Sequence, residues 1–276
     1  MILSTRTGGA VVCALAISAA YAQTRPADSA VPHLEKRGLA TQLIVDGKPF
    51  LVLGAEPPTS GASNLEYLKY MLQVQADTHQ NTSDIAVGWN WVAPQKGKYD
   101  FKIVDAIIED ARQIGQRVVL VWFGSWKNGE SQFAPVWVKA DQDHFPRAQI
   151  KGGRTIEALS TFSESNSEAD ARAFAAVMRH IREVDRSRRV IMAQVENEIG
   201  INGDSRDRSD LAERAFASPV PAELMDYLQK HKDELQPDLR KVWEAAGFKT
   251  NGTWQEVFGQ GAKVGGGVRA ARRLTT

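Results

Sequence analysis

Apolar positions along the chain follow two periods in turn. In TQLIVDGKPFLVLGAEPP, two apolar runs flank Asp46-Gly47, a pair suited to a tight hairpin, and the second run ends in Glu56-Pro57-Pro58. NLEYLKYML then places Leu65, Leu68 and Leu72 at helical spacing, and TSDIAVGWNWV reads as a strand closing in tryptophans. A second helix is predicted with Phe101, Val104, Ile107, Ile108, Ala111 and Ile114 on one face and Gly115 as its stop. QRVVLVWFG is a continuous apolar run of the kind buried on both faces of a parallel sheet. A loop-rich stretch with SQFAPVWVKADQDHFP follows. SEADARAFAAVMRHIREV reads as a helix opened by the capping pair Ser167 and Asp170, and Arg189 to Val195 as a buried strand.

Strands alternate with helices, and four strands have passed by residue 197, so the fold class is α/β with a parallel sheet. There is no internal repeat. A doubly wound sheet and a (β/α)8 TIM barrel both fit the alternation, and the first strand end separates them. A nucleotide-binding sheet carries a glycine-rich phosphate loop there, whereas this chain has GAEPPTSGAS. A barrel gathers polar and aromatic side chains at its strand ends, as Glu56, Trp89, Asn90, Trp91, Trp122, Trp126 and Glu196 to Glu198 do here. The expectation is a TIM barrel, represented by about its first four β/α units.

Composition narrows the partners. The 276 residues are 43% hydrophobic and 24% charged with a net charge of +1, so no overall field favours nucleic acid. MILSTRTGGAVVCALAISAAYAQ has a basic start, an apolar stretch and an Ala20-Tyr21-Ala22 ending, the pattern of an export signal cleaved after residue 22. A retained membrane anchor is the competing reading, but the stretch is short for a stable span. The expected location is periplasmic or extracellular. The one cysteine, Cys13, lies in this segment, so the mature chain is expected to lack disulfide and thiolate chemistry. The expected organisation is a signal peptide 1–22, a polar linker 23–39, a partial barrel 40–262 and a basic tail 263–276.

The candidate chemistry centres on Glu196-Asn197-Glu198, straight after an apolar strand. Alternation sends Glu196 and Glu198 to one side and Asn197 to the other. Two carboxylates close together in a dry cleft do not both ionise cheaply, so one is expected to hold a proton. Glycoside hydrolysis needs such an acid and a second carboxylate. Amides fix sugar hydroxyls, and tryptophan faces carry pyranose rings; five of the seven tryptophans fall between residues 89 and 137. The plainer alternatives are a carboxylate pair solvated or matched to Arg189 or Lys127, and tryptophans that simply pack the core.

Other constellations are weak. His33, His79, His144, His180 and His231 lack metal-ligand spacing, and DSRDRSD lacks that of a calcium loop, so neither a metal nor another cofactor is expected. Asn81-Thr82-Ser83 and Asn251-Gly252-Thr253 fit the glycosylation pattern, which arises often by chance. There is no serine nucleophile elbow.

IMAQVENEIG resembles the ILAQVENEYG motif of the β-galactosidases of glycoside hydrolase family 35. DGKPFLVLGAE, WVAPQKGKYDF and PVWVKAD resemble that family's first strand, its second strand-to-helix connection and the P-x-W segment after its third strand, and together the matches cover about residues 40 to 205. The resemblance implies a retaining glycosidase with Glu198 as acid/base, Asn197 on the sugar 2-hydroxyl and a nucleophilic Glu at the end of barrel strand 7. Glu196, Glu56, Trp89, Asn90, Trp91, Trp122 and Trp126 are the expected sugar-binding residues. The pattern departs where the family has Trp-Glu and Cys-Ala-Glu, since this chain has Trp89-Asn90-Trp91 and VWFGSWKNGE. That points to an outlying branch near family 42 of the same clan. A β-glucoside, or a galactosyl branch on a plant polysaccharide such as xyloglucan, fits as an alternative substrate.

Beyond residue 205, VPAELMDYLQKHKDELQPDLRKVWEAAGFKTNGTWQEVFGQ reads as helical pieces with no further strand. GAKVGGGVRAARRLTT then changes character, as a basic tail for an anionic partner or as a lost reading frame near Lys263. Glu244 and Glu256 sit in helical or loop segments and are poor nucleophile candidates. The expectation is a β-galactosidase interrupted before its nucleophile, the alternative an inactive or sugar-binding remnant. Open sheet edges would favour poor stability or dimerisation.

Overall fold

A computed structural model describes residues 31–259, which divide into two compact units parting between Phe50 and Leu51. The expected signal peptide and basic tail lie outside the described residues, as do residues 23–30 of the expected linker.

The first unit holds an antiparallel sheet of β1 (His33–Arg37), β2 (Ala40–Val45) and β3 (Lys48–Pro49). Asp46 and Gly47 both take left-handed φ values, +51° and +73°, which match a two-residue turn to the twist of its strands. The polar stretch up to Arg37, read from sequence as linker, is instead a strand paired from His33↔Ile44 to Arg37↔Ala40. Its side chains are mostly exposed, so no apolar alternation marks it.

The second unit follows the order β4 (Gly54–Ala55), α1 (Leu65–Asp77), β5 (Thr82–Gly88), α2 (Trp89–Val92), α3 (Lys102–Ile114), β6 (Arg117–Lys127) and α4 (Val136–Lys139). It continues with β7 (Arg147–Ile150), β8 (Arg154–Leu159), α5 (Glu164–Val184) and β9 (Val190–Asn197). Helices α6 (Asp210–Ala217), α7 (Ala222–Lys230), α8 (Pro237–Ala245) and α9 (Trp254–Phe258) complete it. Strands β4, β5, β6 and β9 form one parallel sheet in that order. Each strand pairs with its predecessor and the order never reverses, as in the opening four β/α units of a (β/α)8 barrel.

Local chemistry sets the helix ends. Asn64 caps α1 by accepting from the Tyr67 amide at 3.0 Å, and Gly115 closes α3 in the left-handed conformation, as its sequence predicts. The predicted cap of α5 is corrected. The helix starts at Ser163, whose side chain accepts from the Asn166 amide, while Ser167 and Asp170 lie inside it.

The main core joins Leu68, Leu72, Val104, Ile107 and Val177 from the helices to Ile85, Val87, Val118, Leu120 and Trp122 from the sheet. β9 departs from the buried strand read in its sequence. Ile191 is buried, but Met192 is 44% and Val195 57% exposed. The reason is position: β9 forms the sheet edge, and α7–α9 gather around their own cluster of Met225, Leu228, Trp243 and Phe258. An open apolar edge of this kind offers a template on which a further strand can pair. Val195→Lys should shift the protein toward monomer in size-exclusion chromatography while changing stability by less than about 0.5 kcal/mol.

Among the described residues, no helix is long and apolar enough to cross a membrane, and no group of three or more His, Cys, Asp or Glu could hold a metal ion.

Candidate active site

The site is built where β6 and β9 stop running in register. Trp122 pairs with Val195 and Lys127 with Asn197, so four residues of β6, Phe123 to Trp126, stand opposite Glu196 alone. Such a bulge leaves backbone N–H groups without strand partners. Glu196 supplies acceptors: Oε1 takes the Ser125 amide at 3.0 Å and Oε2 the Trp126 amide at 2.7 Å. Glu196 and Glu198 both adopt left-handed φ values, +64° and +52°. That breaks simple alternation, and the two carboxylates enter different clefts.

Glu198 lines a cleft of about 510 Å³ together with Trp126, Asn128, Phe162, Asn202 and Arg206. The volume is in the range of small-molecule sites. The Asn128 amide lies 2.9 Å from Glu198 Oε2 and 3.0 Å from Lys127 Nζ, contacts satisfied when its nitrogen faces Glu198 and its oxygen Lys127. The same Asn128 side chain also lies 3.0 Å from that of Asn197. Asn197 and Glu198 therefore stand together at the carboxyl end of a parallel strand, in a frame of amides.

Glu196 lines a neighbouring cleft of about 280 Å³ with Asp170, Asn166 and Phe174, and Trp126 and Thr161 border both spaces. Burial, a hydrogen bond to Asp170 and the charge of Asp170 push the Glu196 carboxyl up to about 9, against the pull of the Trp126 and Ser125 amides. The carboxyl whose surroundings favour its protonated form is Glu196, and the group beside it is Asp170 rather than Glu198.

The remaining expected sugar-binding residues do not converge on the Glu198 cleft. Trp89 and Trp122 have no exposed surface and pack in the main core; Trp89 meets Trp137 edge-on at 5.9 Å, and Trp122 gives its indole N–H to Asp170 at 2.7 Å. Neither offers an open face to a sugar. Trp126 is also nearly buried but reaches the cleft wall. Trp91 sits edge-on to Phe133, and the Asn90 amide N–H bonds the Phe133 carbonyl. Glu56 is exposed just after β4, and, after burial itself, its charge is the second cause raising the Asp84 carboxyl on β5. Asn128, Asp170 and Arg206 were not singled out as site residues from the sequence. Only Asn128-Gly129 carried a signal, as a turn pair at a strand end.

A family model described as glycoside hydrolase family 42, beta-galactosidase, matches residues 41–258. The chain belongs to that family. The resemblance to family 35 is corrected accordingly: the matching family is 42, a different family of the same clan. A beta-galactosidase of Xanthomonas manihotis is 28% identical over 206 residues, covering 70% of this chain and 30% of that protein. A catalytic mutant of Gan42B, a family 42 beta-galactosidase from G. stearothermophilus, aligns with a TM-score of 0.45 at 17% identity over 77% of this chain and 28% of its own. A polyextremophilic beta-galactosidase from the Antarctic haloarchaeon Halorubrum lacusprofundi aligns at 0.48 and 20%, over 75% and 29%. This family 42 chain spans about 30% of the length of these relatives.

Proposed function

We propose that the chain carries the acid/base part of a retaining β-galactosidase site acting on terminal β-galactosyl residues of oligo- or polysaccharides. The observation that carries the reading is Glu198, at the end of β9, lining the 510 Å³ cleft beside the Asn197 and Asn128 amides. Glu198 donates a proton to the departing glycosidic oxygen and then, as base, takes one from the attacking water; Asn197 holds the sugar 2-hydroxyl. The nucleophile is a second carboxylate about 5 to 5.5 Å from Glu198, as retention requires. It belongs to a later strand than the four parallel strands of the described residues. The same reading takes the protein as exported, on its opening residues, with no cofactor and a carbohydrate as its partner.

A second reading, sugar binding without turnover, is favoured by that count of four parallel strands. One experiment separates the two. The full chain is incubated with an aryl β-galactoside beside a Glu198→Gln variant, and galactose binding is followed by calorimetry. Hydrolysis that falls at least about 100-fold in the variant supports the enzyme. Binding with no turnover in either protein supports the remnant.

A further inference from the structure

Two carboxyl groups meet at the β6 bulge with few donors to serve them. Asp170, almost buried, takes the Trp122 indole N–H on Oδ1 at 2.7 Å and the Ser125 amide on Oδ2 at 2.6 Å. Glu196 shares that same Ser125 N–H and adds the Trp126 amide. Three N–H groups thus face four carboxyl oxygens. Because Asp170 Oδ2 and Glu196 Oε1 accept the same Ser125 N–H, the two carboxyl groups stand side by side, an arrangement that two carboxylates make cheaply only with a proton between them.

The neighbouring elements bring no charge that would replace that proton. On β6, Lys127 turns to the Asn128 amide and lies over the Phe123 ring at 5.9 Å. On β9, Glu198 enters the other cleft, and in the loop after β9 Arg206 pairs with Glu213. On α5, Glu168 and Arg172 pair with each other at the surface. Asp170 is the charged group that bears on Glu196.

We propose that Glu196 and Asp170 share one proton and act together as positioning residues for Glu198. The protonated pair ties α5 to the bulge with a single negative charge. The far end of the bulge is Lys127, which pairs with Asn197, and the Asn128 amide donates to the Asn197 carbonyl at 3.2 Å. Holding the bulge therefore holds Asn128 against Glu198. Removing the proton sets two negative charges on three donors, and the bulge loosens from the β9 end. The positioning role rests on the reading of Glu198 as acid/base; the shared proton does not.

The test is thermal unfolding of the full chain between pH 5 and 10 for the wild type, Glu196→Gln and Glu196→Ala, with infrared spectra of the carboxylic acid C=O stretch at pH 7. The Glu196 carboxyl titrates higher in the folded chain than in the unfolded one, so its stabilisation is complete at low pH and is lost as pH rises through about 9. The wild type should lose up to about tenfold in its folding constant per pH unit between the ordinary carboxylate range and about pH 9, and level off above it. Glu196→Gln, which keeps the shape and a donor, should flatten the decline, while Glu196→Ala should be less stable at every pH. A protonated carboxyl band at pH 7 that disappears in Glu196→Gln supports the shared proton. Parallel pH profiles for wild type and Glu196→Gln, or the absence of that band, overturn the proposal. Should the variants not fold, the wild-type spectrum at pH 7 and pH 10 decides it: a band present only at pH 7 is the expected result. For the positioning role, the Glu196→Gln pH profile of aryl galactoside hydrolysis should be flat where the wild type declines. If Glu198→Gln leaves hydrolysis intact, the site reading fails while the proton test stands.

Discussion

Replacing Trp122 by Ala should leave little of the chain folded at 25 °C, with a loss of about 5 kcal/mol in a urea titration followed by circular dichroism. The ring has no exposed surface, lies against Phe174 at 5.8 Å between centroids and joins β6 to α5 in the main core. Truncating a buried aromatic of this size costs about 3 to 5 kcal/mol through lost transfer energy and the cavity left behind. Its N–H also bonds the Asp170 carboxyl, and a hydrogen bond to a charged group contributes about 1.5 to 3 kcal/mol. A typical domain has only about 5 to 15 kcal/mol to lose. Trp122→Phe separates the two effects: it keeps most of the packing and should cost about 2 kcal/mol, most of it the lost N–H.

Gly124→Ala is expected to cost about 3 kcal/mol, although it adds a single methyl group. A Cβ at position 124 would lie 2.4 Å from both Asp170 carboxyl oxygens and from Trp122 Nε1. These atoms are locked in a mutual hydrogen bond, so neither can yield without breaking it. The close approach, not backbone conformation, is what requires glycine here. A double-mutant cycle checks the cause. In an Asp170→Ala background the same substitution should cost less, about 1 to 2 kcal/mol, because two of the three atoms it collides with are gone and the indole, freed of its hydrogen bond, is the one left to move.

Regular features were legible where one physical signal dominated. The face of Val104, Ile107, Ile108 and Ala111 gave α3, and Gly115 its end. Asp46-Gly47 gave the β2–β3 turn, and the continuous apolar run of β6 gave a buried parallel strand. The β7–β8 hairpin was hidden by its short strands, though Gly152 and Gly153, both at positive φ, marked its turn. The start of α5 was misplaced because Ser163 and Ser167 are both good caps, and local sequence does not say which one tertiary packing will use. Glu198 and Asn197 could be picked out from their place at a strand end. The separation of the two glutamates into different clefts could not, because it follows from a bulge that sets one residue of β9 against four of β6. Tryptophan count was the least informative guide. The same indole chemistry serves an open sugar platform and a closed core, and Trp89 and Trp122 lie in the core.

The helices after β9 carry one more consequence. Pro219 and Thr253 pair across an isolated bridge, and the Val220 amide donates to the Gly252 carbonyl at 2.9 Å. Chain entry and exit are therefore neighbours, and α7 and α8 lie on an excursion that closes on itself around a private apolar cluster. An excursion with adjoining ends can lengthen, shrink or be excised without shifting the strand that leads to Glu198, so insertions and deletions here should leave the site's framework in place.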